Sequence, residues 1–271
     1  MLLNNKKCSN CQCYYDPTLR KCPNCYKSNE LYLDNKIPNN ILFLNPFAQI
    51  GLFLVGFAFA GMLIAELISA IFVSFVNADE VYKSTLLLFL TYSMMFAGLL
   101  TITLTTRRNE FFSKYKRSLD YIYGIAYAAT IIFASMALSS IISLFHQVSD
   151  NANQEAAVKI STNYPLIAFV ILGFLGPVCE EFTYRVGLYS FFRRINKYVA
   201  FAVTIIVFAF IHFDFTSIGH DAFFEELWAL PAYLLSGFIL TLAYEHRGPA
   251  CSMMAHMVYN SFAFLMIIAA N

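Results

Sequence analysis

Residues 172–194 read LGFLGPVCEEFTYRVGLYSFFRR and combine an apolar, membrane-type helix with charged side chains. Glu180, Glu181 and Arg185 lie within six residues, in a chain of which only 13% of the residues are charged. An ionisable side chain near the middle of a bilayer helix costs about 2.5–3.5 kcal/mol on insertion scales, so such groups face protein or water and meet partners. The stretch therefore predicts a polar site inside a bundle of membrane helices.

The composition indicates an all-α polytopic membrane protein. Hydrophobic residues make up 59% of the 271 residues, whereas ordinary soluble domains contain about 45–50% apolar residues. The formal net charge is +1, which argues against the clustered basic excess of a nucleic-acid-binding protein. We therefore expect the lipid bilayer, and no nucleic acid, among the partners of the chain.

Seven apolar stretches are long enough to be considered as membrane spans, since about 20 residues cross the hydrocarbon core. A break in the first stretch near Gly56 or Gly61 would raise the number to eight. The seven stretches are residues 47–76, 82–104, 119–144, 164–192, 198–212, 226–244 and 249–270.

The loops between these stretches predict the orientation in the cell membrane. Lys and Arg cluster before the first stretch, at residues 107–117, at residues 193–197 and at Arg247, whereas the alternate loops, including the one around Glu155, contain few. Cytoplasmic loops carry the excess of Lys and Arg. We therefore expect a multi-pass protein of the cell membrane with its N-terminus in the cytosol.

Cysteines near the N-terminus have the spacing of a zinc ribbon. Cys8 and Cys11 form one pair, and Cys22 and Cys25 form a second pair. Two such pairs on tight turns present four thiolates to one Zn²⁺. Cys13 could replace Cys11, and two disulfides are the alternative, although cytosolic thiols usually stay reduced. Residues 1–36 are therefore predicted to be a structural zinc ribbon with the start of a linker, serving docking or regulation because a four-Cys site leaves no open coordination position.

Three of the later spans contain a pair of residues four positions apart, and each pair includes at least one polar side chain. The pairs are Glu181 and Arg185, Phe208 and His212, and His256 and Asn260. Residues four apart share one face of a helix. At 1.5 Å per residue from the cytosolic ends, the depths are roughly 20 Å for Glu180, 22 Å for His212, 18 Å for Asn260 and 12 Å for His256. These overlapping depths predict one shared site, reached more easily from the cytosol.

This set of side chains has the chemistry of water-mediated amide hydrolysis. A carboxylate such as Glu180 in a poorly solvated pocket can act as general base or acid, and a neighbouring histidine can hold the water. A second histidine and an asparagine could stabilise the oxyanion, at typically about 2.7–4 kcal/mol per donor. Two alternatives remain: a structural polar network between helices, and a zinc site formed by Glu180, His212 and His256 with a bound water.

The three motifs, Glu-Glu-x3-Arg, Phe-x3-His and His-x3-Asn, occur in this order in successive late spans and resemble the CAAX protease and bacteriocin-processing family, also called Abi. The resemblance covers about residues 120–270. It implies an intramembrane endopeptidase in which Glu180 activates water, His212 assists, and His256 with Asn260 forms the oxyanion hole. Glu181 and Arg185 match the family as an ion pair, and Phe208 is expected to pack against His212 or the substrate path.

This resemblance organises the rest of the chain and leaves the substrate open. Residues 37–118 are read as N-terminal membrane helices and residues 119–271 as the protease core. The expected partner is a membrane-associated or lipidated peptide or protein, and no catalytic metal is expected. The rival interpretation is a catalytically silent membrane factor for immunity or binding, since relatives are linked to bacteriocin maturation and self-immunity. Glu66, in the first stretch, has no assigned role.

Overall fold

The computed structural model describes most of the chain. The described residues are 6–16, 19, 21–27, 29, 37–38, 40–57, 61–146, 151–220 and 222–270. The predicted boundary between the ribbon and the helices, at residues 36 and 37, adjoins residues outside this set and stays a prediction.

The described residues after the ribbon are almost entirely helical, which confirms the all-α class. The helices are α1 (Pro46–Gly56), α2 (Gly61–Ser74), α3 (Glu80–Ser113), α4 (Ser118–Ile142), α5 (Ala152–Asn163), α6 (Pro165–Phe192), α7 (Lys197–Phe210), α8 (Ala222–Arg247) and α9 (Pro249–Ala270), with a 3₁₀ turn at Phe215–Ser217. Among the described residues, five helices are long and apolar enough to cross a membrane, namely α3, α4, α6, α8 and α9, and three shorter helices, α1, α2 and α7, are also apolar.

The first predicted span is two helices, as the possible break near Gly56 or Gly61 suggested. Helix α1 ends at Gly56, and Phe57 has an extended backbone with φ −89° and ψ 143°. A side chain at Gly56 would collide with Thr183 of α6. Glycine at this position therefore allows the end of α1 to pack directly against the polar segment of α6.

Helix α5 is an element that the sequence analysis assigned to a loop. It begins at Asn151, whose side chain accepts a hydrogen bond from the backbone N–H of Gln154 at 3.0 Å, and it ends at Tyr164, which has φ −134° and ψ 64°. The signal was present, because an asparagine N-cap followed by Glu155 in the first turn marks a helix start. The composition is too polar for a membrane span, so hydropathy did not detect it.

Helix α6 lies at the centre of the bundle. In its most apolar window 61% of the residues are buried, against 17–39% in the other four long helices. It contacts α1, α3, α7 and α9. Its backbone is π-helical at Val170–Leu175 and again at Glu181–Tyr189, where all nine residues are buried. Such segments are rare and are often found at functional sites.

Buried polar contacts hold the end of α6 that carries its basic residues. The Arg193 guanidinium bonds both carboxylate oxygens of Glu245 in α8 at 3.0–3.3 Å, and Tyr189 donates to the same carboxylate at 2.8 Å. Arg194 donates to the Leu44 carbonyl oxygen at 2.6 Å and to Gln49 at 2.9 Å. These contacts join α6, α8 and the chain entering α1.

The ribbon has the geometry of a metal site. Strand β1 (Lys6–Lys7) pairs antiparallel with β2 (Tyr14–Tyr15), and the Sγ atoms of Cys8, Cys11, Cys22 and Cys25 all lie within 4.8 Å of one another. The Cys8–Cys25 and Cys11–Cys22 Sγ separations are 3.5 Å and 3.4 Å, far longer than a disulfide bond of about 2.05 Å. They are close to the edge of about 3.8 Å that Zn–S bonds of about 2.3 Å give a tetrahedron.

The position of Cys13 excludes it from this cluster. Cys13 is exposed and accepts a hydrogen bond from the Asn24 amide at 3.3 Å, whereas Cys11 lies within the cluster. The Asn24 side chain also lowers the pKa of the Cys11 thiol to about 6. Cys11 is therefore a thiolate at neutral pH, which is the form that binds metal.

We expect one zinc ion per chain, and its loss on replacing Cys22 by Ser, because that change removes one of four thiolate ligands. Cys13→Ser is the matched control and should retain zinc. Elemental analysis of the purified full-length protein by mass spectrometry measures the metal content per chain. Loss of zinc from Cys13→Ser, with retention in Cys11→Ser, would contradict the ligand set.

Candidate active site

A cavity of about 610 Å³ brings three of the four predicted catalytic residues to one wall. Glu180 of α6, His212 just beyond α7 and Asn260 of α9 all line it. Helices α2, α3 and α5 complete its walls. The cavity is thus lined by more helices than α6, α7 and α9, the three that carry the predicted site residues.

Glu180 lies where the α-helical turn of α6 changes into the second π-helical segment. Its side chain is 17% exposed. Its Oε2 atom is buried without a hydrogen-bond partner, and His256 Nε2 lies 3.7 Å from it. A buried carboxylate oxygen without a hydrogen-bond donor lowers the stability of the folded protein. A water molecule or a substrate group that donates to this atom would remove that cost.

Glu181 does not line the cavity and contacts two buried polar side chains, Arg185 and His256. Its Oε1 atom is 3.0 Å from Arg185 Nη1, which confirms the predicted ion pair, and 2.9 Å from His256 Nδ1. Glu181 and Arg185 are fully buried. The Arg185 guanidinium also lies over the ring of Phe208, 4.4 Å from its centroid. A protonated His256 would bring the formal charge of Glu180, Glu181, Arg185 and His256 to zero.

His212 is fixed by backbone and ring contacts. Its Nδ1 atom lies 2.9 Å from the carbonyl oxygen of Phe208. Because a carbonyl oxygen only accepts, Nδ1 carries the hydrogen and Nε2 of the neutral ring is an acceptor. The ring stacks on Tyr233 with centroids 4.5 Å apart and contacts Phe208 at 5.1 Å. Phe208 therefore packs against His212 as expected.

Asn260 is tied to the other π-helical segment of α6. Its Nδ2 atom donates to the carbonyl oxygen of Leu172 at 3.1 Å. His256, one turn earlier in α9, is buried behind Glu180 and contacts Phe208 with ring centroids 6.0 Å apart. Glu180, His212 and Asn260 thus line one cavity, and His256 lies 3.7 Å from the Glu180 carboxylate.

The exposed residues of the cavity lining, here called its mouth, lie toward one end of the bundle. The cavity residues in α3 and α5, including Ser84 and Lys159, come from the end of the bundle away from Arg193 and Arg194, and both are exposed. The deeper wall, including Pro177, is buried. The expectation of easier access from the cytosolic side stays a prediction, because it depends on the orientation of the chain in the membrane.

The alternative of a zinc site formed by Glu180, His212 and His256 can be compared with the distances between possible ligand atoms. Within the part of the chain that the structure describes, only the four ribbon cysteines bring three or more His, Cys, Asp or Glu donor atoms within 4.8 Å of one another. The Nδ1 atoms of His212 and His256 bond to oxygen atoms, so a metal at this site would be bound through their Nε2 atoms.

Two contributors to the site were missed by the sequence analysis. Tyr233 stacks on His212, and its hydroxyl receives hydrogen bonds from Asn151 and Asn153 at 3.4 Å and 3.1 Å. It therefore connects α5 to the site. Tyr184 lines the cavity one turn after Glu180 and contacts Phe208 edge-on at 5.6 Å. The motifs specify neither tyrosine, and the role of each is inferred from the residues that it contacts.

Comparison with known proteins finds a family model that matches the C-terminal part of the chain. Residues 162–262, which include every residue of the three motifs, match a family model described as type II CAAX prenyl endopeptidase Rce1-like. No solved structure matches.

Three curated relatives are UPF0177 proteins of Lactococcus lactis, with names that state no activity. YvdC of subsp. lactis strain IL1403 is 24% identical over 157 residues, covering 57% of this chain and 55% of YvdC. The protein in the abiGi 5' region of subsp. cremoris is 28% identical over 117 residues, covering 43% and 45%. YaiH of strain IL1403 is 28% identical over 118 residues, covering 43% and 44%.

The chain thus spans about half the length of the curated relatives that it matches. The family resemblance indicated by the three motifs is confirmed, and the chain is a multi-pass membrane protein in which residues 162–262 are similar to the Rce1-like family.

Proposed function

We propose that the chain is an intramembrane endopeptidase that hydrolyses a peptide bond in a membrane-associated peptide or protein. The observation that carries the proposal is the Glu180 carboxylate, which lines a cavity and has a buried oxygen without a partner. A volume of about 610 Å³ lies within the usual range of about 300–1,000 Å³ for ligand sites. It accommodates both a peptide segment and water at membrane depth.

In the proposed reaction a water molecule bound between Glu180 and His212 attacks the carbonyl carbon of the substrate. Glu180 takes one proton from the water as the new C–O bond forms, and the carbonyl electrons move onto the substrate oxygen. The protonated Glu180 then gives its proton to the leaving nitrogen as the C–N bond breaks. One carboxyl group therefore acts as base and then as acid, which typically contributes about 10²–10⁴-fold in rate.

The oxyanion formed in the first step needs donors opposite Glu180. Asn260 supplies an amide, and His256 supplies Nε2–H when its ring is protonated, because its Nδ1–H then donates to Glu181 at 2.9 Å. We assign Glu181 to positioning, since it touches His256 and Arg185 and does not line the cavity. A fixed donor is worth more than a mobile one because it does not reorganise during the reaction.

We further propose that the ribbon and the basic loops face the cytosol, following the positive-inside rule. The ribbon would then dock or regulate, since four thiolates fill the coordination of zinc. Its Asp16 carboxylate lies 3.4 Å from Arg107 Nη2 near the end of α3, which gives the ribbon a contact with the helical part. Catalysis is assigned to the opposite half of the bundle.

We expect Glu180→Gln to abolish proteolysis while keeping the fold, because glutamine has the size of glutamate and cannot accept the proton. Mapping of protein termini by mass spectrometry, in membranes of cells expressing wild type or variant at equal levels, measures this. New termini should appear with wild type only. If the two proteins give the same termini and the same cellular phenotype, the hydrolase proposal is wrong and a binding or immunity role is favoured.

We expect Asn260→Ala to lower kcat by about 10²–10³ with little change in KM, because an oxyanion donor acts mainly in the transition state. A peptide spanning a mapped cleavage site provides the substrate for the kinetic measurement. Asn163→Ala, at an exposed asparagine outside the cavity, is the control and should behave as wild type. An equal loss in both variants, or a change in KM alone, would remove Asn260 from the oxyanion hole.

We expect catalysis to survive chelation of metal, since the proposed chemistry uses only side chains and water. The ribbon also binds metal, so the test uses the full chain carrying Cys22→Ser, with its metal content measured. Its cleavage rate should be the same before and after treatment with a strong chelator. A loss of activity that added zinc restores would support the zinc-dependent version of the protease.

A further inference from the structure

Glu66 is a charged residue in an otherwise uncharged helix. Helix α2 reads GMLIAELISAIFVS, and Glu66 is its only ionisable side chain. Among the described residues, no hydrogen bond or ion pair is found for its carboxylate, and its side chain is exposed in the protein. An ionisable group in a membrane helix is costly and usually marks a substrate or ion path. Within the described residues, the Glu66 carboxylate is therefore available to bind a group from outside the chain.

Glu66 lines the same cavity as Glu180. It belongs to the exposed part of the wall, together with Ser84 of α3 and with Asn153 and Lys159 of α5. Among the residues described, the acidic and basic side chains that line the cavity are Glu66, Lys159, Glu180 and His212. A peptide passing from the mouth to Glu180 would thus pass a carboxylate on the α2 side.

We propose that Glu66 determines specificity by binding a cationic group of the peptide substrate near the scissile bond. This inference rests on the proposed peptidase function and names the class of substrate. The cation is either a Lys or Arg side chain or the free amino group of the peptide. An opposite charge is attracted and a like charge is repelled, so Glu66 selects for positive and against negative groups at its subsite.

The polarity of the mouth supports a peptide with charge over a purely apolar ligand. Lys159 lies on α5, a different wall from α2, and it also has no ion-pair partner for its ammonium group in the described part of the chain. A substrate whose positive group meets Glu66 leaves Lys159 to repel cations that enter along α5. The two charges therefore orient a peptide in the mouth, with its positive group toward α2.

The first experiment changes the substrate and keeps the full-length wild-type enzyme. Peptides spanning a cleavage site found by terminus mapping are prepared with the nearby Lys or Arg replaced by norleucine or by Glu, and separately with the amino terminus acetylated. A charge-assisted hydrogen bond is worth about 1.5–3 kcal/mol, so kcat/KM should fall about 10- to 150-fold when the recognised cation becomes neutral. The peptide that shows the fall distinguishes a side-chain cation from a terminal one.

The second experiment changes the enzyme. Glu66→Gln should cleave the cationic and neutral peptides at similar rates, because the discriminating charge is gone, whereas Glu66→Lys should prefer the peptide carrying Glu. Glu155→Gln, at an exposed carboxylate of α5 outside the cavity, is the matched control and should keep the wild-type preference.

The outcomes separate this inference from the proposed function. Cleavage that depends on Glu180 but shows no charge preference in wild type, or a preference that persists in Glu66→Gln, overturns the role of Glu66 alone. Termini that persist in Glu180→Gln overturn the peptidase proposal and this inference with it. The substrate series needs no variant, so poor folding of Glu66→Gln would not leave the inference untested.

Discussion

The buried pair of Glu181 and Arg185 is the constraint on which the site depends. A fully buried guanidinium is tolerated only with a close counter-charge and further polar contacts, and Arg185 has Glu181 at 3.0 Å and the Phe208 ring at 4.4 Å. Glu181 also holds His256 from another helix. One carboxylate therefore neutralises a buried cation and orients the imidazole beside Glu180. Removing it would leave an unpaired charge, which costs about 3–5 kcal/mol in comparable pairs.

Local signals in the sequence predicted much of this protein. Apolar stretches located the helices, the Glu-x3-Arg spacing predicted the buried ion pair, and the cysteine spacing predicted the cluster in the ribbon. The choice of Cys11 over Cys13 needed the positions of the Sγ atoms, because either cysteine could complete the first pair with Cys8. The contact of Glu181 with His256 joins residues that are 75 positions apart, so no local pattern contains it.

The features that were not predicted depend on tertiary packing. Helix α5 is polar and its place over the cavity is fixed by α8, where the Glu226 carboxylate accepts from the backbone N–H of Ala152 at 3.0 Å. The contribution of this helix and of α2 to the cavity lining also depends on packing, so it could not be inferred from residue depth in three spans. The π-helical segment Glu181–Tyr189 of α6 is also invisible to periodicity, since all of its side chains are buried.

The contact of Asn260 with Leu172 has a further consequence for the timing of catalysis. A side-chain amide carries two hydrogens, and one of them is already given to the Leu172 carbonyl oxygen. The second hydrogen is thereby held in a fixed direction before any substrate arrives. In the proposed peptidase, the entropy of ordering this side chain is lost when the protein folds and is not lost again at each turnover.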